Sequence, residues 1–168
     1  MNTNNTSRTK KIAIYGMLVA LAMVLSWVES CFAFAMIMPG MKLGLTNLVV
    51  MIALYKLGNK DALIINVVRI FLVSMTFGNM FSLIYSLAGG VLSFIVMVIA
   101  KKMKFEMTLV SVLGGIFHNV GQIIVAMIVM NTFHLIYYLL VLWISGIVAG
   151  VVIGIVSAQI IKRIPNFR

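Results

Sequence analysis

Six apolar runs make up most of this chain, each separated from the next by a short polar or basic stretch. The first, residues 11–29, has about the 20 residues that one bilayer crossing takes. After it comes SCFAFAMIMPGMK, still apolar but interrupted by Pro39-Gly40, which predicts a loop lying over or dipping into the outer face. A short second span is predicted over residues 43–57. Lys56, Lys60 and Asp61 mark the return, and a third span follows over residues 62–77. Gly78-Asn79 makes a turn, and the fourth span covers residues 80–100 and stops at Lys101, Lys102 and Lys104. The fifth covers residues 107–130, and beyond Asn131, Thr132 and His134 the sixth covers residues 135–161. The pattern predicts an all-α, polytopic membrane protein: one six-helix transmembrane domain over residues 11–164, with tails at 1–10 and 165–168.

Small residues recur inside these spans. Ala13, Gly16 and Ala20 share a face of the first, where packing within the chain and docking to a partner fit equally well. Ser82, Ser86 and Gly90, with Gly89 and Ser93, give the fourth a close-packing edge. Gly146, Gly150 and Gly154 repeat at every fourth position of the sixth, compatible with dimerisation or internal packing.

Composition excludes a water-soluble domain, because 63% of the residues are hydrophobic and 10% charged, too little polar surface to cover the rest. The net charge of +10 points to membrane orientation and not to nucleic acid, since the cations cluster between apolar runs. Arg8, Lys10, Lys11, Lys56, Lys60, Lys101, Lys102, Lys104, Lys162, Arg163 and Arg168 fall on one side of a six-span chain, and Lys42 falls on the other. Both termini are therefore expected in the cytoplasm, with membrane lipid around the spans. Cys31 is the single cysteine, so no internal disulfide forms.

Polar residues within the spans carry the candidate chemistry. Asn66, Arg69 and Thr76 share one face of the third span, and Arg69 lies eight residues past Asp61, roughly 12 Å deep. An arginine there must face the protein interior, either paired with an acid such as Glu29 or serving an anion site. In the fifth span Ser111, Gly115, His118 and Gln122 form a stripe at three- and four-residue steps, flanked by Asn119. Arg69, His118, Asn119 and Gln122 are expected to line a cavity, with Lys42 near its outer mouth and Ser86 as a further donor. Donors outnumber anionic acceptors in that set, so the expected substrate is a small molecule that is anionic and partly apolar.

Other chemistry lacks its ingredients. Glu29, Asp61 and Glu106 are the only acids, too few for an aspartate-rich magnesium-diphosphate site or a relay of carboxylates, so an enzyme is not expected. His118, His134 and Cys31 do not have metal-ligand spacing, and no cofactor is implied. No phosphate-cradling glycine loop is present, so ATP-driven transport needs a separate motor.

The segment Pro39-Gly40-Met41-Lys42-Leu43-Gly44-Leu45-Thr46-Asn47, Arg69, Ser86 through Ser93, Gly114 with His118-Asn119-Val120-Gly121-Gln122, and Ser145-Gly146 with Gly150 resemble the Gx transporter family. That family is also labelled heptaprenyl diphosphate synthase component I, and the likeness covers nearly everything past residue 10. It resembles in turn the substrate-binding S components of energy-coupling factor transporters, six-helix proteins that work with a transmembrane T subunit and two cytoplasmic ATPases. The resemblance implies an outward cavity capped by the first outer loop, with Ala13, Gly16 and Ala20 meeting the T subunit. It adds Asn47 to the expected substrate-binding set of Lys42, Arg69, Ser86, His118, Asn119 and Gln122. It also implies an alternative: an accessory subunit of a prenyl-diphosphate or quinone pathway, or of a flavin-based extracellular electron transfer system.

Arg8, Lys10 and Lys11 before an apolar run, with Ala33-Phe34-Ala35 after it, imitate a secretory signal. The run exceeds the roughly 7 to 15 residues of a signal core, so it is read as a retained helix. The intact mass of the purified chain is expected to include residues 1–35; a mass lacking them would mark a cleaved leader.

Overall fold

A computed structural model of the chain describes residues 3–33 and 44–164. Among them are six α-helices and no strand: α1 (Thr3–Ala33), α2 (Asn47–Lys56), α3 (Asn59–Phe77), α4 (Met80–Lys102), α5 (Met107–Val129) and α6 (Tyr138–Arg163), with a 3₁₀ turn at Phe133–Tyr137 before α6. The all-α expectation holds. Four segments, Arg8–Glu29, Met80–Lys102, Met107–Val129 and Phe133–Arg163, are long and apolar enough to cross a membrane, as a multi-pass membrane protein requires.

Several boundaries differ from those read in the sequence. α1 begins at Thr3, so much of the expected tail is helical, and it continues through Ala33. The second span is the largest departure. α2 has 10 residues, about 15 Å of rise against roughly 30 Å of hydrocarbon, and cannot cross alone. Asn47, Val49, Val50, Met51, Ile52, Ala53 and Leu54 are all buried, so this helix is enclosed by its neighbours on every side. It packs against α1, α3, α5 and α6, while α1, α3, α4, α5 and α6 follow one another around it by contact of α1 with α3, α3 with α4, α4 with α5 and α5 with α6.

Turn chemistry fixes the ends of these helices. Gly58 has φ of +106°, open to glycine without strain, and its N–H joins that of Leu57 in donating to Ala53 O, so α2 reverses into α3 within two residues. At the start of α4 the Asn79 side chain accepts from Ser82 N–H at 2.8 Å, a side-chain cap on a helix start.

Main-chain contact at glycines sets the spacing of α4, α5 and α6. A Cβ on Gly121 of α5 would lie 2.8 Å from Ala88 O and from Gly89 Cα on α4, and one on Gly89 would lie 2.6 Å from His118 O. On the other face of α5, a Cβ on Gly150 of α6 would lie 2.6 Å from Val112 Cα, and one on Gly154 the same distance from Thr108 Cα. In hydrocarbon, where burial against lipid offers no net gain, such close approach is what holds helices together. The glycine repeat of α6 is thus used within the chain, resolving the choice left open by the sequence. Gly89 and Gly90 likewise serve packing, Gly90 against Ile70 of α3.

The cations gather at one end. Lys11 pairs with Asp61 at 2.9 Å; Lys101 Nζ donates to Leu54 O at 2.6 Å, and Lys56 Nζ donates to Ile164 O at 2.6 Å. Lys101 also lies over the Tyr55 ring, and its contact with the last turn of α2 complements the negative end of that helix. Exposed Trp27, Phe77, Phe81, Phe133, Tyr137 and Tyr138 ring the opposite end, where aromatic side chains sit well at a membrane surface.

Gly121→Ala is expected to lower stability by about 1–3 kcal/mol, because α4 and α5 must move apart. Gly16→Ala meets open space and is expected to be neutral or to gain up to about 1 kcal/mol of helix propensity. Unfolding curves of the two variants in one detergent check the contrast.

Candidate functional site

The amino end of α2 stops at mid-bundle, and two groups of polar residues meet it there. Its carboxyl end is at the basic end of the molecule, so a rise of about 15 Å places Thr46 and Asn47 that far in. Arg69 is ten residues past Asn59, the first of α3, and therefore at the same depth.

The first group is built around Arg69, which is 5% exposed. Its Nη1 donates to Thr46 Oγ1, and its Nε donates to Asn66 Oδ1 at 3.0 Å. Asn66 Nδ2 donates in turn to Gly90 O of α4 at 3.1 Å. Glu29 of α1 is equally buried, accepts from Gly44 N–H, and is the acid whose charge reaches Arg69. The sequence left Arg69 with either an acid or an anion to face; Glu29 lies within electrostatic reach of it, and the hydrogen bonds of Arg69 and Asn66 tie the start of α2, α3 and α4 together. Thr76 is not part of this group. It is exposed and donates to Leu72 O of its own helix.

The second group lines a cavity bounded by α2, α5 and α6. Gly44, Asn47, Ser111, Gly115, His118 and Asn119 lie along it, closed by Gly146, Ala149, Gly150 and Ile153. Its volume is about 10 Å³, room for one water. The stripe seen in the sequence is real for Ser111, Gly115 and His118, because three- and four-residue steps keep them on one face of α5. Asn119 is buried, with Nδ2 donating to Leu142 O at 2.7 Å, so it holds α6 to α5 as well as lining the cavity.

Of the expected substrate-binding residues, Asn47, His118 and Asn119 are brought together here. Arg69, Ser86 and Gln122 are not in this lining. Arg69 meets the other side of α2 through Thr46, Ser86 is half-buried on α4, and Gln122 packs its Cγ beside Gly89. Lys42 lies outside the described residues, as does Pro39-Gly40. Among the small residues of α1, Ala13, Gly16 and Ala20 are all exposed, so this face is not used for packing among the described residues.

Sequence reasoning passed over Thr46 and Gly44 as site residues, and named Ser111 in the stripe without placing it in the substrate-binding set. The available signal was the shortness of the second apolar run, which forces its polar start into the interior. Gly44, at φ of +73° with its N–H bound to Glu29, is the residue that turns the chain into α2 at that depth.

Removing the Arg69 guanidinium leaves buried polar atoms of Thr46 and Asn66 without their donor and takes from the buried Glu29 a cation that acts on it. Arg69→Met is expected to cost about 1–3 kcal/mol. Adding Glu29→Gln is expected to restore part of that loss, so the two effects fall short of additivity in a double-mutant cycle of unfolding free energies.

Comparison with known proteins bears on what such a bundle belongs to. Neither a curated protein nor a solved structure matches the chain. A family model does, over residues 18–160, which takes in all of α2 to α5, the second half of α1 and most of α6. The chain belongs to the family described as heptaprenyl diphosphate synthase component I.

Proposed function

We propose that the chain passes through the cell membrane six times with both termini in the cytoplasm, α2 forming only the cytoplasmic half of the second pass, and that it is the substrate-binding subunit of an energy-coupling factor type uptake transporter. The solute is small, anionic and partly apolar. Asn47, His118 and Asn119 orient its polar atoms, Lys42 stands at the gate, and Ser86 and Gln122 flank the path. Arg69 holds the first turn of α2 in place beside the solute. A transmembrane T subunit docks on the exposed Ala13, Gly16 and Ala20 face of α1, and cytoplasmic ATPases supply the energy.

The observation that carries this reading is a polar-lined cavity at the end of a half-length helix within an apolar bundle. Intramembrane polar groups of this kind mark solute pathways by default, and broken or short helices place their positive ends at anionic groups. The charge asymmetry of the two ends supports the orientation. Catalysis by the chain itself is disfavoured by its chemistry, since the one deeply buried acid, Glu29, is engaged by Gly44 and faces Arg69.

A second reading has one observation in its favour. The family description names one component of a synthase, which implies a partner component. In that reading the chain is a non-catalytic accessory subunit of a prenyl-diphosphate or quinone pathway.

Native mass spectrometry and affinity purification of the detergent-extracted chain separate the two. The transporter reading expects a carried small molecule, T subunit and ATPases in the same complex, and at least a tenfold weaker retention of that molecule in His118→Leu. Recovery of a soluble synthase or a flavoprotein with no small molecule would overturn it.

A further inference from the structure

Two buried polar side chains line the cavity beside α2 without a hydrogen bond to the rest of the described chain. Ser111 is 3% exposed and its Oγ has no partner; Asn47 is 8% exposed and its carboxamide makes no hydrogen bond among the described residues. Buried groups left in this way are unfavourable unless something else meets them. The backbone at the start of α2 does not. The N–H groups of Asn47, Leu48 and Val49 donate to the carbonyls of Gly44, Leu45 and Thr46, and that of Gly44 donates to Glu29.

The walls cannot close on the space either. Gly115 against Gly146 and Gly150 against Val112 are at main-chain contact, which sets how near α5 and α6 can come. Gly44, Gly115, Gly146 and Gly150 all belong to the lining, so no side chain projects from those four positions to fill it.

We propose that this cavity is a binding site for one structural water, which bridges the start of α2 to α5. Size selects the ligand: about 10 Å³ is what a single water needs, and nothing larger enters without moving the walls. Chemistry selects it too, because a water donates and accepts at once. It accepts from the Ser111 hydroxyl and donates to Oδ1 of Asn119, whose Nδ2 is already given to Leu142 O. The Asn47 carboxamide, with both a donor and an acceptor, makes the third bond, the usual number for a buried water. A cation in the same place would meet the positive end of α2. Since α2 packs more extensively on α3 and α6 than on α5, the bridge ties α2 where direct contact is thin. The site belongs to the fold and does not depend on a carried solute.

Ser157 supplies the control. It is fully buried on α6, and its Oγ also lacks a partner, but it is not in this lining. In detergent, Ser111→Ala is expected to raise the unfolding equilibrium constant about three- to tenfold. Ser157→Ala is expected to leave it unchanged or lower it, because alanine is the better helix former. A crystal structure of the unaltered full chain that resolves ordered waters is expected to show one water-sized peak within hydrogen-bond distance of Ser111 Oγ and the Asn47 side chain. Equal effects of the two substitutions would overturn the proposal. So would a crystal structure with no peak there, with an ion in its place, or with the Ser111 hydroxyl turned onto a carbonyl of its own helix. The unaltered chain decides even if Ser111→Ala does not fold.

Discussion

A helix that ends inside a membrane protein must have its first backbone donors and its polar flanking residues satisfied where water is scarce, and α2 is such a helix. Everything distinctive about this bundle follows from how that end is met. Gly44 N–H is bound by Glu29, Thr46 receives Arg69, and Asn47 turns toward α5 and α6. A cation and an acid, each costly alone at that depth, lie within electrostatic reach of one another. The polar start of α2 is thereby held on two sides, by charge toward α1 and α3 and by a small cavity toward α5 and α6.

The two sides are built by different physics. α4, α5 and α6 approach to main-chain contact at Gly89, Gly115, Gly121, Gly146, Gly150 and Gly154, where any side chain would intrude. α1 and α3 join the rest through apolar packing, with Leu18, Ala22, Ala62 and Ile65 in the shared core, supplemented by the hydrogen bonds of Arg69 and Asn66 at mid-depth and by the Lys11–Asp61 pair at the basic end. Dispersion between closely packed backbones is insensitive to pH and salt, whereas the polar ties are not. The family to which the chain belongs is described as component I of a synthase, a description that implies a partner component.

Much of this was legible in the sequence. Long apolar runs bounded by basic or polar stretches placed α4 and α5 to within two residues and α6 to within three, because hydrophobic length and cation placement are local properties. The face shared by Ser111, Gly115 and His118 was legible for the same reason, helical periodicity being set by the backbone. What was not legible depended on tertiary contact. Leu43 to Leu57 reads as a short span in one dimension; only its enclosure by four helices shows it to be a half-length core element. Arg69 and Glu29 are forty residues apart, and no spacing rule links them. Gln122 and Ser86 looked equivalent to His118 by type and depth, but α4 packs so closely on Gly121 that Gln122 is turned against Gly89.

The contact of α5 with backbone on both flanks has a mechanical corollary. A rod gripped along two opposite sides cannot roll about its own axis, so the wall bearing Ser111 and His118 stays fixed in orientation. The polar start of α2 therefore faces a wall whose orientation is set by glycine contacts on both of its flanks.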